Sequence, residues 1–154
     1  MNYQNLEKAL DLAKQCKFYT IAEGKTPEEI TKSEELLDIK FSKQSKSFYE
    51  KVGYLSFFGS EIFGIDPNDV SGILEGNSVA YALADRRQNN LPKEWIPIYN
   101  YGDGHMAYLD YAHLNSEKEP RVIMGTYTGI VYRQIEIIAD DFGDFLLQLV
   151  EEQL

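Results

Sequence analysis

A change of hydrophobic period near residue 53 constrains the fold of this chain more than any other feature. Before it, apolar residues recur at the three- and four-residue spacing of amphipathic helices. From Tyr54 onward they fall mainly into short runs separated by glycines and turn residues, as in strands. The chain is therefore predicted to place helices first and most of its strands afterwards.

The clearest helix start lies at Thr26. Its hydroxyl can cap the helix, Pro27 suits the first turn, and Glu29 completes a capping box. A third helix is predicted to run from about Ser42 to Gly53, with the glycine as its left-handed terminal residue. A first helix precedes both, and its apolar face is predicted to carry Leu6, Leu10 and Ala13.

The strand candidates occupy residues 54–58, 61–63, 95–101, 105–111, 121–127 and 130–138. A helix is predicted at residues 78–88, and a closing amphipathic helix follows a cap at Asp140 or Asp141. The tight turn Gly102-Asp103-Gly104 joins two strands, and strands joined by short turns pair antiparallel. We therefore expect an α+β fold in a single domain over residues 1–154, with an antiparallel sheet of about five to six strands flanked by about four to five helices.

The chain is strongly acidic, because 15 Lys and Arg residues against 25 Asp and Glu residues give a formal net charge of −10. Contacts with phosphates require a basic face, so this balance disfavours binding to nucleic acid or to an anionic membrane. A basic protein is the natural electrostatic partner. Acidity that serves solubility alone is the alternative interpretation.

Cys16 is the only cysteine, so the chain cannot form an internal disulfide. Its apolar helical position favours a small buried side chain over a reactive thiol. The first fifteen residues lack the basic start and apolar middle of a signal peptide, and no apolar run approaches the roughly 20 residues of a membrane span. We expect a cytoplasmic protein.

Catalytic and metal-binding patterns are weak. The only imidazoles are His105 and His113, which would lie about 26 Å apart on one strand at roughly 3.3 Å per residue. His105 lies near Asp103 and Asp110 in sequence, but it is better explained as a residue hydrogen-bonded to the turn than as a general base. No serine or cysteine follows a nucleophile-elbow pattern.

A glycine-rich segment at residues 59–64 imitates the first six positions of a phosphate-binding loop. Ile65 and Asp66 follow it, where a lysine and a Ser or Thr are required. The glycines are therefore assigned to tight backbone geometry between strands. We expect a binding protein rather than an enzyme, with neither a cofactor nor a metal.

Aromatic and acidic residues gather around the turn at residues 102–104. Tyrosines with a buried ring and a polar tip are enriched at protein interfaces, and binding residues concentrate at turns and strand ends. The alternative is that half of these tyrosines simply pack on the helices. The predicted partner-binding residues are Glu61, Asp66, Tyr99, Tyr101, Asp103 and Asp110.

The order of these landmarks resembles the SUKH superfamily of bacterial toxin-immunity proteins, which includes the fungal cell-wall-assembly regulators. The resemblance rests on Pro27 to Leu37, Phe48-Tyr49 leading to Gly53, Phe58 to Gly64, Trp95-Ile96-Pro97-Ile98, Gly102-Asp103-Gly104 with Leu109-Asp110, and Phe142-x-x-Phe145-Leu146. It implies a non-enzymatic α+β domain that binds and neutralises a cognate protein toxin, commonly a nuclease.

Two other functions remain open at this stage. One is a regulatory scaffold of the cell-wall-assembly type, which would have several partners and no neighbouring toxin gene. The other is a hydrolase that uses Asp103, Asp110 or His105, for which no substrate is defined. The resemblance itself implies no particular contact residues, since the toxin-facing surface diverges within the superfamily.

Overall fold

The computed structural model describes residues 4–71 and 76–154. No helix within those two ranges is both long enough and apolar enough to cross a membrane. The elements, in chain order, are α1 (Gln4–Ala13), β1 (Thr20–Glu23), α2 (Pro27–Leu37), α3 (Lys43–Lys51), β2 (Val52–Phe57), β3 (Ser60–Ile62), α4 (Ser78–Asn89), β4 (Trp95–Asn100), β5 (His105–Leu114), β6 (Pro120–Tyr127), β7 (Tyr132–Ala139) and α5 (Phe142–Gln153).

The strands form two antiparallel sheets, with the orders β1-β2-β3 and β4-β5-β6-β7. The α+β class and the antiparallel pairing are confirmed, whereas the expected sheet of five to six strands is wrong, because the described strands divide into sets of three and four. The extra strand is β1, which contains Thr20, Ile21, Ala22 and Glu23. All four are exposed, so no buried alternation marked β1 as a strand.

The predicted start of α2 is confirmed in detail. The backbone N–H of Glu29 donates to the Thr26 hydroxyl at 3.1 Å, and the Thr26 N–H donates to the Glu29 carboxylate at 3.1 Å. Pro27 occupies the first turn. At the other end Asp38 closes the helix in the left-handed conformation, with φ 55°.

The predicted start of α3 at Ser42 is also confirmed, but its predicted end is wrong. The helix runs directly into β2 through Val52, which has an extended φ of −135°. Gly53 therefore lies inside the strand rather than closing the helix. The glycine is required by close packing, because a Cβ atom there would lie 2.2 Å from the carbonyl oxygen of Glu23 in β1.

Helices cover both faces of the four-stranded sheet. Val122 and Ile123 are adjacent on β6, point to opposite faces, and are both fully buried. On one face the Phe145 ring of α5 contacts Tyr99 of β4 at 6.1 Å between ring centroids. On the other face α4 lies against Tyr108 and Tyr132. The helix α1 packs on α5 and completes one continuous apolar core.

The helices α4 and α5 begin at side-chain caps. Asn77 caps α4 by accepting the N–H groups of Val79 and Ala80. Asp141, one of the two predicted candidates, caps α5 by accepting the N–H of Asp144 at 2.8 Å. The α4 cap ties the helix to the loop that follows β3, since the Asn77 amide also donates to backbone carbonyls of that loop.

Candidate partner-binding surface

The turn between β4 and β5 holds Asp103 out into solvent. Gly102 and Gly104 flank it with φ values of 82° and 94°, which only glycine adopts readily. The Asp103 carboxylate accepts the backbone N–H of His105 at 3.0 Å, and this hydrogen bond lowers the pKa of the carboxyl group. Asp103 is therefore a fixed negative charge at the tip of the hairpin.

Two tyrosines lie directly behind that turn, in T-shaped contact at 4.8 Å between ring centroids. Tyr99 also approaches Ser60 of β3, with 3.4 Å between the two hydroxyl oxygens. Burial raises the pKa of Tyr101 to about 12, and the field of nearby Tyr99, Glu136, Glu152 and Asp103 adds to the effect. Tyr101 is thus a protonated hydroxyl surrounded by carboxylates.

Glu61 reaches the same region from the other sheet. The Phe63 N–H donates to the Ile98 carbonyl at 3.0 Å, which holds the end of β3 beside β4. Glu61 and Gly59 then line one shallow hollow together with Asn100 and Gly102. Four of the predicted residues therefore gather at one end of the molecule: Glu61, Tyr99, Tyr101 and Asp103.

Asp66 is engaged elsewhere. Its carboxylate accepts the N–H of Asn68 at 3.1 Å, and its own N–H donates to the Asn77 side chain that caps α4. These contacts assign Asp66 to the loop before α4 rather than to the turn between β4 and β5.

Asp110 has a structural environment. It is 1% exposed and lies in the middle of β5, opposite Trp95, the first residue of β4. Its carboxylate accepts from Arg121 Nε at 2.9 Å and from the backbone N–H of Ala112 at 3.1 Å, and lies 2.9 Å from His113 Nδ1. With every contact internal, this carboxylate presents no surface to a partner.

Two phenylalanines beside the turn were not among the predicted site residues. Phe18 is 80% exposed and Phe58 is 38% exposed, although both are large apolar side chains. The two segments that carry them meet, because the Phe58 N–H donates to the carbonyl of Lys17, the residue before Phe18, at 2.8 Å. Phe58 also precedes Gly59, which lines the hollow shared with Glu61.

Both phenylalanines have a left-handed backbone, with φ 59° at Phe18 and φ 52° at Phe58. This conformation is unfavourable for a bulky residue and is often found at functional sites. The available sequence signals were an aromatic residue directly before a glycine and another in the short segment between α1 and β1. Together with the four converging residues, this pair defines what we call the turn surface: Phe18, Phe58, Glu61, Tyr99, Tyr101 and Asp103.

Residues 24–148 match the SMI1/KNR4 family (SUKH-1), which is most of the chain. The chain belongs to the SMI1/KNR4 family. A search of curated protein sequences gives no match. The resemblance to the SUKH superfamily that the landmarks suggested is thereby confirmed.

The remaining polar clusters of this SMI1/KNR4 chain are explained by structural roles. His105 and His113 lie at separate ends of β5, and His105 contacts its own turn through Asp103. In the part of the chain that the structure describes, the one group of three convergent acidic ligands is Asp140, Asp141 and Asp144. Asp141 caps α5, Asp140 accepts from Asn115 at 3.2 Å, and Asp144 accepts from Asn5.

Proposed function

We propose that this SMI1/KNR4-family chain is an immunity protein that binds and neutralises a cognate cytotoxic protein effector. The effector is proposed to be a nuclease toxin domain used in competition between bacteria. The chain would act in the cytoplasm as a binding protein and not as an enzyme. The observation that carries the proposal is the turn surface, in which exposed aromatic side chains lie beside fixed carboxylates on a member of this family.

The charge of the turn surface suits a basic partner. Asp103 is exposed, Glu61 is half-buried, and Glu136 and Glu152 lie within electrostatic range of Tyr101. A nuclease must be basic where it holds its substrate, so an acidic protein is steered toward that groove and associates rapidly. Carboxylates in positions that phosphates would otherwise occupy would block the groove both sterically and electrostatically.

The aromatic residues supply binding energy, which long-range charge alone does not provide. Long-range charge raises the association rate, whereas a few large desolvated side chains supply most of the binding energy of an interface. Phe18 and Phe58 are exposed before binding, so their apolar area is available to a partner pocket. Tyr99 and Tyr101 present polar hydroxyls next to them, as is common at the rim of an interface.

The first test is co-expression of the chain with the toxic C-terminal domain encoded by the neighbouring gene. Survival and co-purification are scored together. We expect rescue and a stable complex with the parent chain, and loss of both with a double Phe18→Ser and Phe58→Ser variant. The matched control is Ile130→Ser, which removes an exposed apolar side chain outside the turn surface and is expected to rescue.

A regulatory scaffold of the cell-wall-assembly type is the second candidate, because the resemblance to the SUKH superfamily also implies such regulators. Affinity capture of the chain from its own cells distinguishes the two. An immunity protein is expected to recover one dominant toxin, and a scaffold is expected to recover several cellular partners. If the cells die and no complex forms although the chain is well folded, immunity by direct binding is rejected.

A further inference from the structure

The outer edge of the four-stranded sheet is an exposed strand with an apolar hairpin beside it. In the described ranges, β7 pairs with β6 on one side and with no strand on the other. Its five central residues, 133–137, are all exposed. Ile130 and Val131 before the strand are 83% and 54% exposed, and Ile135 and Ile137 within it are 46% and 54% exposed. Such an edge offers unpaired backbone groups to another strand.

A bulge in β7 changes the usual alternation of its side chains. Gly125 pairs with Gln134, and Met124, the residue before Gly125 on β6, pairs with Glu136. Ile135 is therefore the extra residue on β7. Thr126 and Met124 are two apart on β6 and share one face. Their partners, Arg133 and Glu136, therefore also share one face, although they are three apart in sequence.

From this register we infer that β7 pairs antiparallel with β7 of a second copy, about a two-fold axis between Gln134 and Ile135. In this arrangement each Arg133 lies directly opposite Glu136 of the partner subunit, on the same face of the sheet. Two symmetric ion pairs then form across the junction. The two four-stranded sheets become one sheet of eight strands, and the exposed edge disappears.

The same register also covers apolar side chains. Ile137 lies opposite Tyr132 of the partner subunit, and both belong to the face that carries Tyr127 and Ile123 on β6. Val131 and Ile130 extend past the strand toward the end of the partner's β7. Cross-strand pairs of this kind are a main source of sheet stability.

Charge favours a second copy over a basic toxin as the occupant of this edge. The whole chain has a formal net charge of −10, so two copies repel each other unless they meet at a neutral patch. Residues 130–139 contain one cation, Arg133, and one anion, Glu136, and are neutral overall. The patch is complementary to itself, whereas a basic partner would gain little there. This inference does not depend on the proposed function.

The test exploits the Arg133 and Glu136 pairing. Sedimentation equilibrium of the full chain over a range of concentrations is expected to show a reversible dimer. Arg133→Glu and Glu136→Arg each replace two attractive pairs by two repulsive pairs, so each is expected to weaken dimerisation about tenfold or more. The variant that carries both changes reverses every pair and is expected to dimerise like the parent chain.

Several outcomes would overturn the inference. Monomeric parent chain at every concentration would do so, as would single and double charge variants with equal dimer affinities. Ile137→Glu provides a second probe, because it places an anion against the electron-rich ring of Tyr132 of the partner subunit, and it is expected to give monomer. All changed residues are exposed, so circular dichroism is expected to show unaltered folding. Rescue on co-expression by Ile137→Glu, a change outside the turn surface, separates this inference from the proposed toxin binding.

Discussion

Phe18 combines an unfavourable backbone conformation with an exposed side chain, so its contribution to folding and its contribution to binding can be separated. Phe18→Gly is expected to stabilise the free chain by about 1 kcal/mol, because glycine adopts a positive φ without steric cost. The same change is expected to weaken toxin binding by about 2 kcal/mol or more. Urea unfolding and titration calorimetry with the cognate toxin domain measure the two effects.

Phe57→Gly serves as the matched control for Phe18→Gly. Phe57 adjoins the turn surface but is fully buried in β2, so its loss is expected to destabilise the chain strongly. A Phe18→Gly variant that loses stability and keeps full toxin affinity would contradict the assigned role.

Substitution of Asp110 is expected to lower the stability of the chain and to leave partner binding unchanged. Asp110→Ala leaves Arg121 without its carboxylate partner, and the expected cost is about 3 kcal/mol in the free energy of unfolding. Asp103→Ala at the exposed turn is expected to cost less than about 1 kcal/mol. Urea unfolding midpoints of the two variants at neutral pH provide the comparison. Equal losses would contradict the contrast between the buried and the exposed carboxylate.

Glu119 gives the chain a pH dependence of stability. It is 1% exposed, and burial raises the pKa of its carboxyl group, with nearby Asp141 and Glu117 adding to the effect. Hydrogen bonds from Ser42 and from the Gln44 N–H at the start of α3 act in the opposite direction. The Glu119 carboxyl group therefore binds a proton more tightly in the folded chain than in the unfolded chain. Its contribution favours folding as the pH falls through its folded pKa toward the ordinary glutamate pKa of about 4.3.

Glu119→Gln is expected to be more stable than the parent chain at pH 7, because it removes the buried charge. The advantage should shrink as the pH falls through the folded pKa of the carboxyl group. Urea unfolding at a series of pH values measures it, with Glu151→Gln, an exposed glutamate in α5, as the control. A difference in stability that does not vary with pH would contradict the assignment.

Among the elements, α2 is the one whose start depends most clearly on local sequence. Thr26→Ala removes one half of the capping box and is expected to lower the free energy of unfolding by about 1 kcal/mol. Thr31→Ala, at an exposed position inside the same helix, is expected to be neutral or stabilising because alanine is the better helix former. Chemical unfolding of both variants tests the cap, and equal effects would argue against it.

Elements with strong local signals were predictable from sequence, and elements defined by distant contacts were not. The caps at Thr26, Ser42 and Asp141 act within one helical turn, so the sequence contains all the information they need. The strand β1 exists only because it pairs with β2, and Gly53 is required only because Glu23 approaches it. The division into two sheets depends in the same way on long-range pairing.

The candidate site follows the same rule. The cluster at Tyr99, Tyr101 and Asp103 could be predicted because these residues are neighbours around one turn. Asp110 was included for the same reason, but its pairing opposite Trp95 and its burial depend on the assembled sheet. Phe18 and Phe58 could not be assigned to the surface from sequence, because three segments of the chain must fold before they meet.

At the scale of the whole molecule, the net charge of −10 should govern how fast the chain meets its toxin. The association rate is expected to fall about tenfold or more from low to high salt, while the dissociation rate changes little. Asp103→Asn is expected to slow association, and Lys17→Gln, which removes a cation next to Phe18, is expected to accelerate it. Surface plasmon resonance over a salt series measures both rates. An association rate that is independent of salt would reject electrostatic steering.

The turn surface combines Phe18 and the β2–β3 turn, at one sheet, with the β4–β5 turn of the other. Each turn closes its own hairpin, so a substitution or a change of length in one leaves the hydrogen-bonded pairs of the other sheet intact. The β2–β3 turn and the β4–β5 turn can therefore change in sequence independently of each other. A chain built this way can acquire a new partner through successive substitutions, each of which leaves a folded protein.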